Sequence, residues 1–152
     1  MEITELLNQE GIQLMNDIRA NMGAAGMNVT GETMSSLRIE IKQEGTRTRM
    51  TLYGRPFFMT VQTGRKPTPG KKPSREMIDN ITAWVEGRGM ELDAVWAIAT
   101  KIQEKGTKLW QSGGRTDIVD PAVEDFIDEV GHKLLDEQAE KLIFKIREQE
   151  WQ

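Results

Sequence analysis

The sequence predicts an α+β fold in which an N-terminal helix and two central helices pack on a small antiparallel sheet and a long helix ends the chain. Apolar residues recur at helical spacing over residues 3–22 and again after residue 74, whereas residues 37–53 alternate between apolar and polar. Residues 55–73 hold four of the five prolines of the chain. Because proline fixes φ and lacks an N–H, we expect this stretch to separate the sheet from the helical part.

The chain has 152 residues and is expected to form a single domain with three parts. A helix and the sheet occupy residues 1–63, an exposed basic loop residues 64–73, and helices residues 74–152. The absence of cysteine excludes disulfides and thiolate metal sites. No signal peptide and no membrane contact are expected, because no segment has the required apolar run.

The first element is an amphipathic helix over residues 3–22, with Gly11 as an internal weak point. The glycines of residues 23–26 end it. Residues 30–36 suit a short helical turn, for which Thr30 is the expected N-cap.

A β-hairpin follows this turn, with strands over residues 37–41 and 47–53. The Gly-containing turn 43–46 joins them. In the second strand, Met50 and Leu52 are expected to face inward, because side chains alternate between the two faces of a strand.

Three longer helices are expected after the basic loop, over residues 75–86, 92–104 and about 120–149. Their expected starting residues are Ser74 as the cap of the first, and Asp120 as the cap of the last with Pro121 in its first turn. The side chains expected on the buried face of the first are Ile78, Ile81, Trp84 and Val85, and the apolar side chains of the second are Val95, Trp96, Ile98, Ala99 and Ile102. The last helix would be about 45 Å long, so part of it should extend past its own core or lie on a neighbour.

Two segments leave alternatives open. Residues 57–63 suit either a third strand or a short helix. Residues 107–117 suggest a mobile segment with Trp110 in its middle. That side chain either anchors a partner, as exposed tryptophans often do, or packs on the core.

The net charge of −4 conceals a strong segregation of charge. Residues 46–75 carry eight basic and no acidic side chains, whereas residues 116–152 carry eleven acidic and four basic ones. Such a distribution can steer a polyanion to one face or set subunits head to tail.

The basic loop therefore has three interpretations. It contacts nucleic-acid phosphates without sequence preference, it docks on an acidic surface of another subunit such as the last helix, or it is solvated without a partner. The candidate residues for a subunit interface or a DNA channel are Arg55, Phe57, Phe58, Arg65, Lys66, Lys71, Lys72, Arg75, Trp110 and Arg115.

No catalytic site, cofactor or metal is expected. The chain lacks a P-loop, a GxGxxG or HExxH motif and a Ser-His-Asp order. Its single histidine, His132, could pair with Asp128 or Asp136 on a metal, but a surface helix face explains it better. Asp117 and Asp120 could be two acids of a nuclease, but a helix cap and its neighbour explain them better.

Several short motifs follow one another in a characteristic order: a TGxxxxSL stretch, a hairpin, an aromatic pair before an xxTGRKP loop, and helices reading AWVxGRG and AxAIAxKIxxKGT. Their order and spacing resemble the neck proteins of tailed bacteriophages, the head–tail connector and tail-completion components of the virion-morphogenesis type. The matching positions are 30–31, 36–37, 57–58, 63–67, 73, 83–85, 87–89 and 94–107.

The resemblance implies a structural virion protein without catalytic activity, made in the bacterial cytoplasm and located in the neck of the virion. It would be an α+β subunit of a homo-oligomeric ring that joins the portal to the tail around the DNA channel. The implied partners are further copies of the chain, the portal or adaptor protein and tail proteins, with packaged double-stranded DNA as a further contact. The family commonly ends in a shorter helix after a PFL-like segment, for which residues 118–122 stand here, so the station within the neck stays open.

Overall fold

The computed structural model describes residues 2–27, 31–56 and 58–150, of which residues 141–150 are described by their backbone alone. The elements, in chain order, are α1 Ile3–Ala24, α2 Glu32–Ser35, β1 Arg38–Glu44, β2 Arg47–Tyr53, α3 Thr60–Thr63, α4 Arg75–Gly87, α5 Ala94–Lys105, α6 Lys108–Gln111 and α7 Asp120–Glu150. This architecture confirms the predicted α+β class with a long C-terminal helix.

The hydrophobic core forms where α1 meets the sheet and the beginning of α7. Ile18, Met22 and Ile118 are completely buried. The core cluster consists of Leu14, Ile18, Met22, Leu37, Ile118, Val119 and Ala122. A hydrogen bond also joins α1 to the residues before α7, since the side-chain amide of Asn21 donates to the carbonyl of Ile118 at 2.9 Å.

Gly11 lies where α1 approaches the hairpin most closely. A β-carbon at this position would lie 2.7 Å from Ile39 Cδ1 and 2.9 Å from Met50 Sδ. The glycine thus has a packing role, which offsets its intrinsic cost of about 1 kcal/mol in a helix. Met50 and Leu52 are half-buried against the core, which confirms their inward direction.

The hairpin is longer than predicted, since β1 continues to Glu44 and the strands pair in register from Arg38 with Tyr53 to Glu44 with Arg47. In the described part of the chain the sheet has two strands. The third strand is not formed, because Thr60–Thr63 is the helix α3 and the N–H of Gly64 donates to Thr60 O at 2.9 Å. Thr30, the predicted cap, lies outside the described residues.

Helices α4 and α5 pack on each other, whereas the sequence suggested that both cover the sheet. The predicted cap of α4 is confirmed, since Ser74 Oγ accepts a hydrogen bond from the N–H of Met77 at 3.1 Å. The buried side chains of the pair are Met77, Val85, Val95, Ala99 and Gln103.

The burial predicted for Trp84 is wrong, and Trp96 on α5 is exposed as well. Trp84 is 37 % exposed and Trp96 is 63 % exposed. Two helices that pack on each other bury one face each, so the aromatic rings on the other faces stay open. The guanidinium of Arg88 lies 5.0 Å from the ring centroid of Trp84, in the geometry of a cation–π contact.

Helix α7 runs antiparallel to α1 and extends beyond it. Its start meets the end of α1, and farther along Lys133 forms an ion pair with Glu10. Ile3, the first residue of α1, shares a surface cavity with Leu134 and Gln138. The last dozen residues of α7 therefore continue about 18 Å past the beginning of α1. The apolar residues 142, 143 and 146 of this helix belong to the part whose side chains are not described.

Candidate interaction groove

Five of the predicted interface residues line one groove of about 670 Å³, hereafter the groove. They are Arg55, Phe58, Arg65, Lys66 and Trp110. Val61 of α3 and Met77 of α4 complete its apolar wall, and Glu76 places one negative charge among the three positive ones. The groove thus combines apolar surface with a net positive charge.

The basic loop, residues 64–73, begins with a close approach to α6. Gly64 has φ 72° and ψ 174°, a backbone conformation that is essentially restricted to glycine. The N–H of Arg65 donates to Thr107 Oγ1 and the N–H of Thr107 donates to Arg65 O, both at 3.0 Å. These two hydrogen bonds fix the position at which the Arg65 and Lys66 side chains leave the backbone.

Gln103 of α5 holds the middle of the loop. This side chain is buried; its Oε1 accepts from the hydroxyl of Thr68 at 2.7 Å. Its Nε2 donates to the carbonyls of Lys71 and Lys72 at 3.3 and 3.2 Å. The loop is therefore an ordered wall of the groove, with its basic side chains directed into solvent.

Replacing Gln103 with leucine should loosen the loop while keeping α5 intact. We expect a loss of about 1–2 kcal/mol in the free energy of unfolding, because three hydrogen bonds disappear but the loop carbonyls can turn to water. Limited proteolysis after Lys71 or Lys72 should become faster. The matched control is Gln138→Leu on the exposed surface of α7, which should leave the cleavage rate unchanged. Equal cleavage of the Gln103 variant and the wild type would contradict this role.

The cations of the basic loop and of the first turn of α4 are exposed and form no ion pair with any described residue. They are Arg65, Lys66, Lys71, Lys72 and Arg75. Because none of these five cations is paired with a described carboxylate, this loop is a concentrated positive surface.

Arg55 differs from these cations because internal contacts hold it. Its backbone N–H donates to Ser36 Oγ at 3.0 Å. Its guanidinium donates to oxygens of Glu32, Thr33 and Asn80 at 3.3–3.4 Å. Arg55 thereby ties α2 to α4 across one end of the groove.

Of the two predicted aromatic candidates, the structure describes Phe58. Phe58 is half-buried and packs against the core, so it is a structural residue with one surface in the groove. The Phe58 ring fits here because Gly54 has no β-carbon, which would lie 2.8 Å from Phe58 Cγ. Phe57 lies outside the described residues.

Trp110 belongs to a segment that is more ordered than predicted. Residues 107–117 contain α6, and Thr107 Oγ1 accepts from the N–H of Trp110 at 3.3 Å. The indole side chain is 43 % exposed and borders the groove. The residue packs locally against Gly106 and keeps an exposed face, and its role as a partner anchor stays a prediction.

Arg115 does not line the groove but forms a bidentate pair with Asp117 at 2.6 and 2.7 Å. The hydrogen bonds from Arg115 lower the pKa of the Asp117 carboxyl. At pH values above the ordinary pKa of aspartate, the pair therefore stabilises the folded state. This contribution is lost as the pH falls through the lowered pKa of Asp117.

Gln62 is the buried residue that sequence analysis missed at the start of α7. Its Oε1 accepts from the N–H of Val119 at 2.7 Å and from that of Asp120 at 3.2 Å. Its Nε2 donates to Asp120 Oδ1 at 3.2 Å. Asp120 was the predicted cap, but it is the first residue of α7 and the capping oxygen belongs to Gln62.

The two buried glutamines could have been identified from one signal. Gln103 follows Val95 and Ala99 at four-residue spacing on the apolar face of α5, and Gln62 follows Val61 among apolar residues. A polar side chain on a buried face must find hydrogen-bond partners, so such a position indicates hydrogen bonds to residues distant in the sequence.

Within the described residues, no three His, Asp or Glu side chains lie close enough together to hold a metal ion. Asp117 and Asp120, the acids considered for a nuclease, are bound to Arg115 and Gln62 respectively. No helix in the described part of the chain is both long and apolar enough to cross a membrane.

Comparisons with protein-family models, with curated proteins and with solved structures give no match. The resemblance of residues 30–115 to phage neck proteins therefore rests on the motif order alone.

Proposed function

We propose that this chain is a structural subunit of a homo-oligomeric ring in the neck of a tailed bacteriophage, where it joins the capsid portal to the tail around the DNA channel. The observation that carries the proposal is the order of motifs over residues 30–115, which resembles head–tail connector and tail-completion proteins. The folded chain is compatible with a binding role, because the motif segment 63–67 leads into the groove.

The distribution of charge supports a ring. One side of the fold presents the exposed cations of the basic loop, whereas α7 and its entry, residues 116–140, carry nine acidic side chains and one lysine. A subunit with two unlike, complementary surfaces forms heterologous contacts, and these close into a ring when the rotation between subunits permits it.

A second surface supports contacts with other proteins. The largest apolar side chains around the α4–α5 connection are exposed; they are Trp84, Met90, Leu92 and Trp96. Exposed apolar side chains that include tryptophan are typical of protein interfaces. In the proposed neck, this surface faces the portal or tail protein next to the ring.

Deleting the gene from its phage tests the proposal. We expect lysates that contain DNA-filled heads and separate tails, because the joint between them is missing, and complementation in trans should restore complete particles. Electron microscopy of the lysate distinguishes the outcomes. Complete, infectious particles without the protein would contradict the proposed role.

The exposed basic loop favours a second candidate, binding of nucleic acid through phosphate contacts. The triple variant Lys66→Ala, Lys71→Ala, Lys72→Ala should then bind duplex DNA more weakly and show a shallower dependence of log K on log salt, by about 0.9 for each phosphate that the variant no longer neutralises. The control Arg47→Ala, Lys101→Ala, Lys105→Ala removes the same charge outside the loop. Undetectable binding of the wild type at low salt would exclude this candidate.

A further inference from the structure

We propose that the groove receives the outer face of α7 from a second copy of the chain, with Ile127 and Leu135 as the apolar anchors. This inference rests on the proposed ring and names the contact between neighbouring subunits.

The outer face of α7 carries two large apolar side chains where a free surface helix would carry polar ones. Ile127 is 60 % exposed and Leu135 is 69 % exposed. Glu124, Asp128 and Gly131 share their face, because positions three, four, seven and eight residues apart lie on one side of a helix. The opposite side packs on α1.

Acidic side chains surround these two apolar ones. Glu124 and Asp128 are exposed and form no ion pair with the described residues. The single basic residue nearby, Lys133, is bound to Glu10 and Glu129, and these contacts raise its pKa. The outer face of α7 therefore has a net negative charge.

The groove has the complementary character. Arg65 and Lys66 are exposed at its edge, with Trp110 and Phe58 forming apolar surface beside them. Glu76 opposes them with one negative charge. Recognition of an amphipathic helix by its i, i+3, i+4 and i+7 side chains in an apolar groove is a common binding mode.

The volume of the groove fits side chains rather than a whole helix. A helix with its side chains is about 10–12 Å across, which exceeds what a groove of about 670 Å³ can enclose over two turns. Ile127 and Leu135 project from points about 12 Å apart along α7. The helix would thus lie across the groove and insert these side chains.

The occupant must come from another molecule. No side chain of α1 or of α7 up to residue 140 lines the groove in the part that the structure describes, and α7 of the same chain is already packed along α1. The groove and the outer face of α7 are different surfaces of the subunit. Each copy can therefore bind the α7 of one neighbour in its groove and place its own α7 in the groove of another. Repetition of this contact gives a ring or a filament.

A charge swap tests the contact. The groove variant carries Arg65→Glu and Lys66→Glu, and the helix variant carries Glu124→Lys and Asp128→Lys. Each alone should fail to assemble at concentrations where the wild type does, because like charges then face each other. Their equimolar mixture should assemble, since the acidic groove of one variant matches the basic helix of the other and the two remaining native surfaces match as well. Light scattering coupled to size exclusion measures the mass.

Controls separate the interface from folding and from the ring itself. Arg47→Glu with Lys101→Glu makes the same charge change elsewhere and should assemble as the wild type does, and circular dichroism should show every variant folded. Variants that assemble normally while the wild type forms a ring would overturn this contact but leave the ring in place. A monomeric wild type would overturn both. A groove variant that loses only DNA binding would assign the groove to nucleic acid and overturn the inference.

Discussion

Replacing Gly64 with alanine is expected to lower the free energy of unfolding by about 3 kcal/mol or more. Two costs add at this position. The backbone has φ 72° and ψ 174°, a region that side chains essentially exclude. A β-carbon would also overlap the backbone nitrogen of Trp110 and lie 2.6 Å from Thr107 Oγ1. Since backbone atoms of α6 cannot move aside as a flexible side chain can, the start of the basic loop would separate from α6.

Gly70 provides the matched control in the same loop. Its φ is 77°, but a β-carbon there would meet nothing within 4 Å. Gly70→Ala should therefore cost only the conformational strain, about 1–2 kcal/mol. Urea denaturation of both variants gives the comparison. Equal losses would show that the close approach to α6 is unimportant.

Replacing Gln62 with leucine is expected to cost about 2–3 kcal/mol. The buried N–H of Val119 would lose its acceptor, and the first turn of α7 would lose the oxygen that satisfies its free donors. Leucine has a similar size, so the loss reports the hydrogen bonds rather than a cavity. Amide hydrogen exchange should increase first at Val119 and Asp120.

The control for this change is Gln13→Leu on α1. Gln13 is exposed and donates to Asp17 at 2.7 Å, a surface hydrogen bond whose removal should change stability by less than about 0.5 kcal/mol. If the Gln62 variant were as stable as this control, Gln62 would not be the cap of α7.

The sequence predicts those elements whose formation depends on local pattern. The spacing of apolar residues predicts α1, α7 and the hairpin, and the Ser74 hydroxyl predicts the start of α4. Each of these depends on residues within a few positions along the chain. Their boundaries are accurate to within two residues, apart from the end of the first strand, which was predicted three residues too early.

Features that depend on distant residues could not be predicted in this way. The burial of Trp84 was expected from apolar character, but a helix pair has too little surface to cover it. The buried position of Gln62 becomes meaningful only when α3 meets the start of α7, 57 residues later.

The same limit applies to the groove. The sequence identifies a basic loop, an aromatic pair and Trp110 as separate candidates. It does not show that Arg55, Arg65 and Trp110 converge, because long-range contacts fix their positions. Hydrogen bonds to Thr107 place Arg65 and Trp110, and hydrogen bonds to α2 and α4 place Arg55. Arg115, predicted with them, pairs with Asp117 instead and is not part of the groove wall.

Native mass spectrometry of the purified wild-type chain is the direct test of whether it forms a homo-oligomeric ring. If the chain is a ring subunit, it should form a closed oligomer with one defined number of subunits. This oligomer should be stable at low protein concentration and dissociate at high salt, because unlike charges contribute to the contact. A chain that stays monomeric at high concentration and low salt would contradict it.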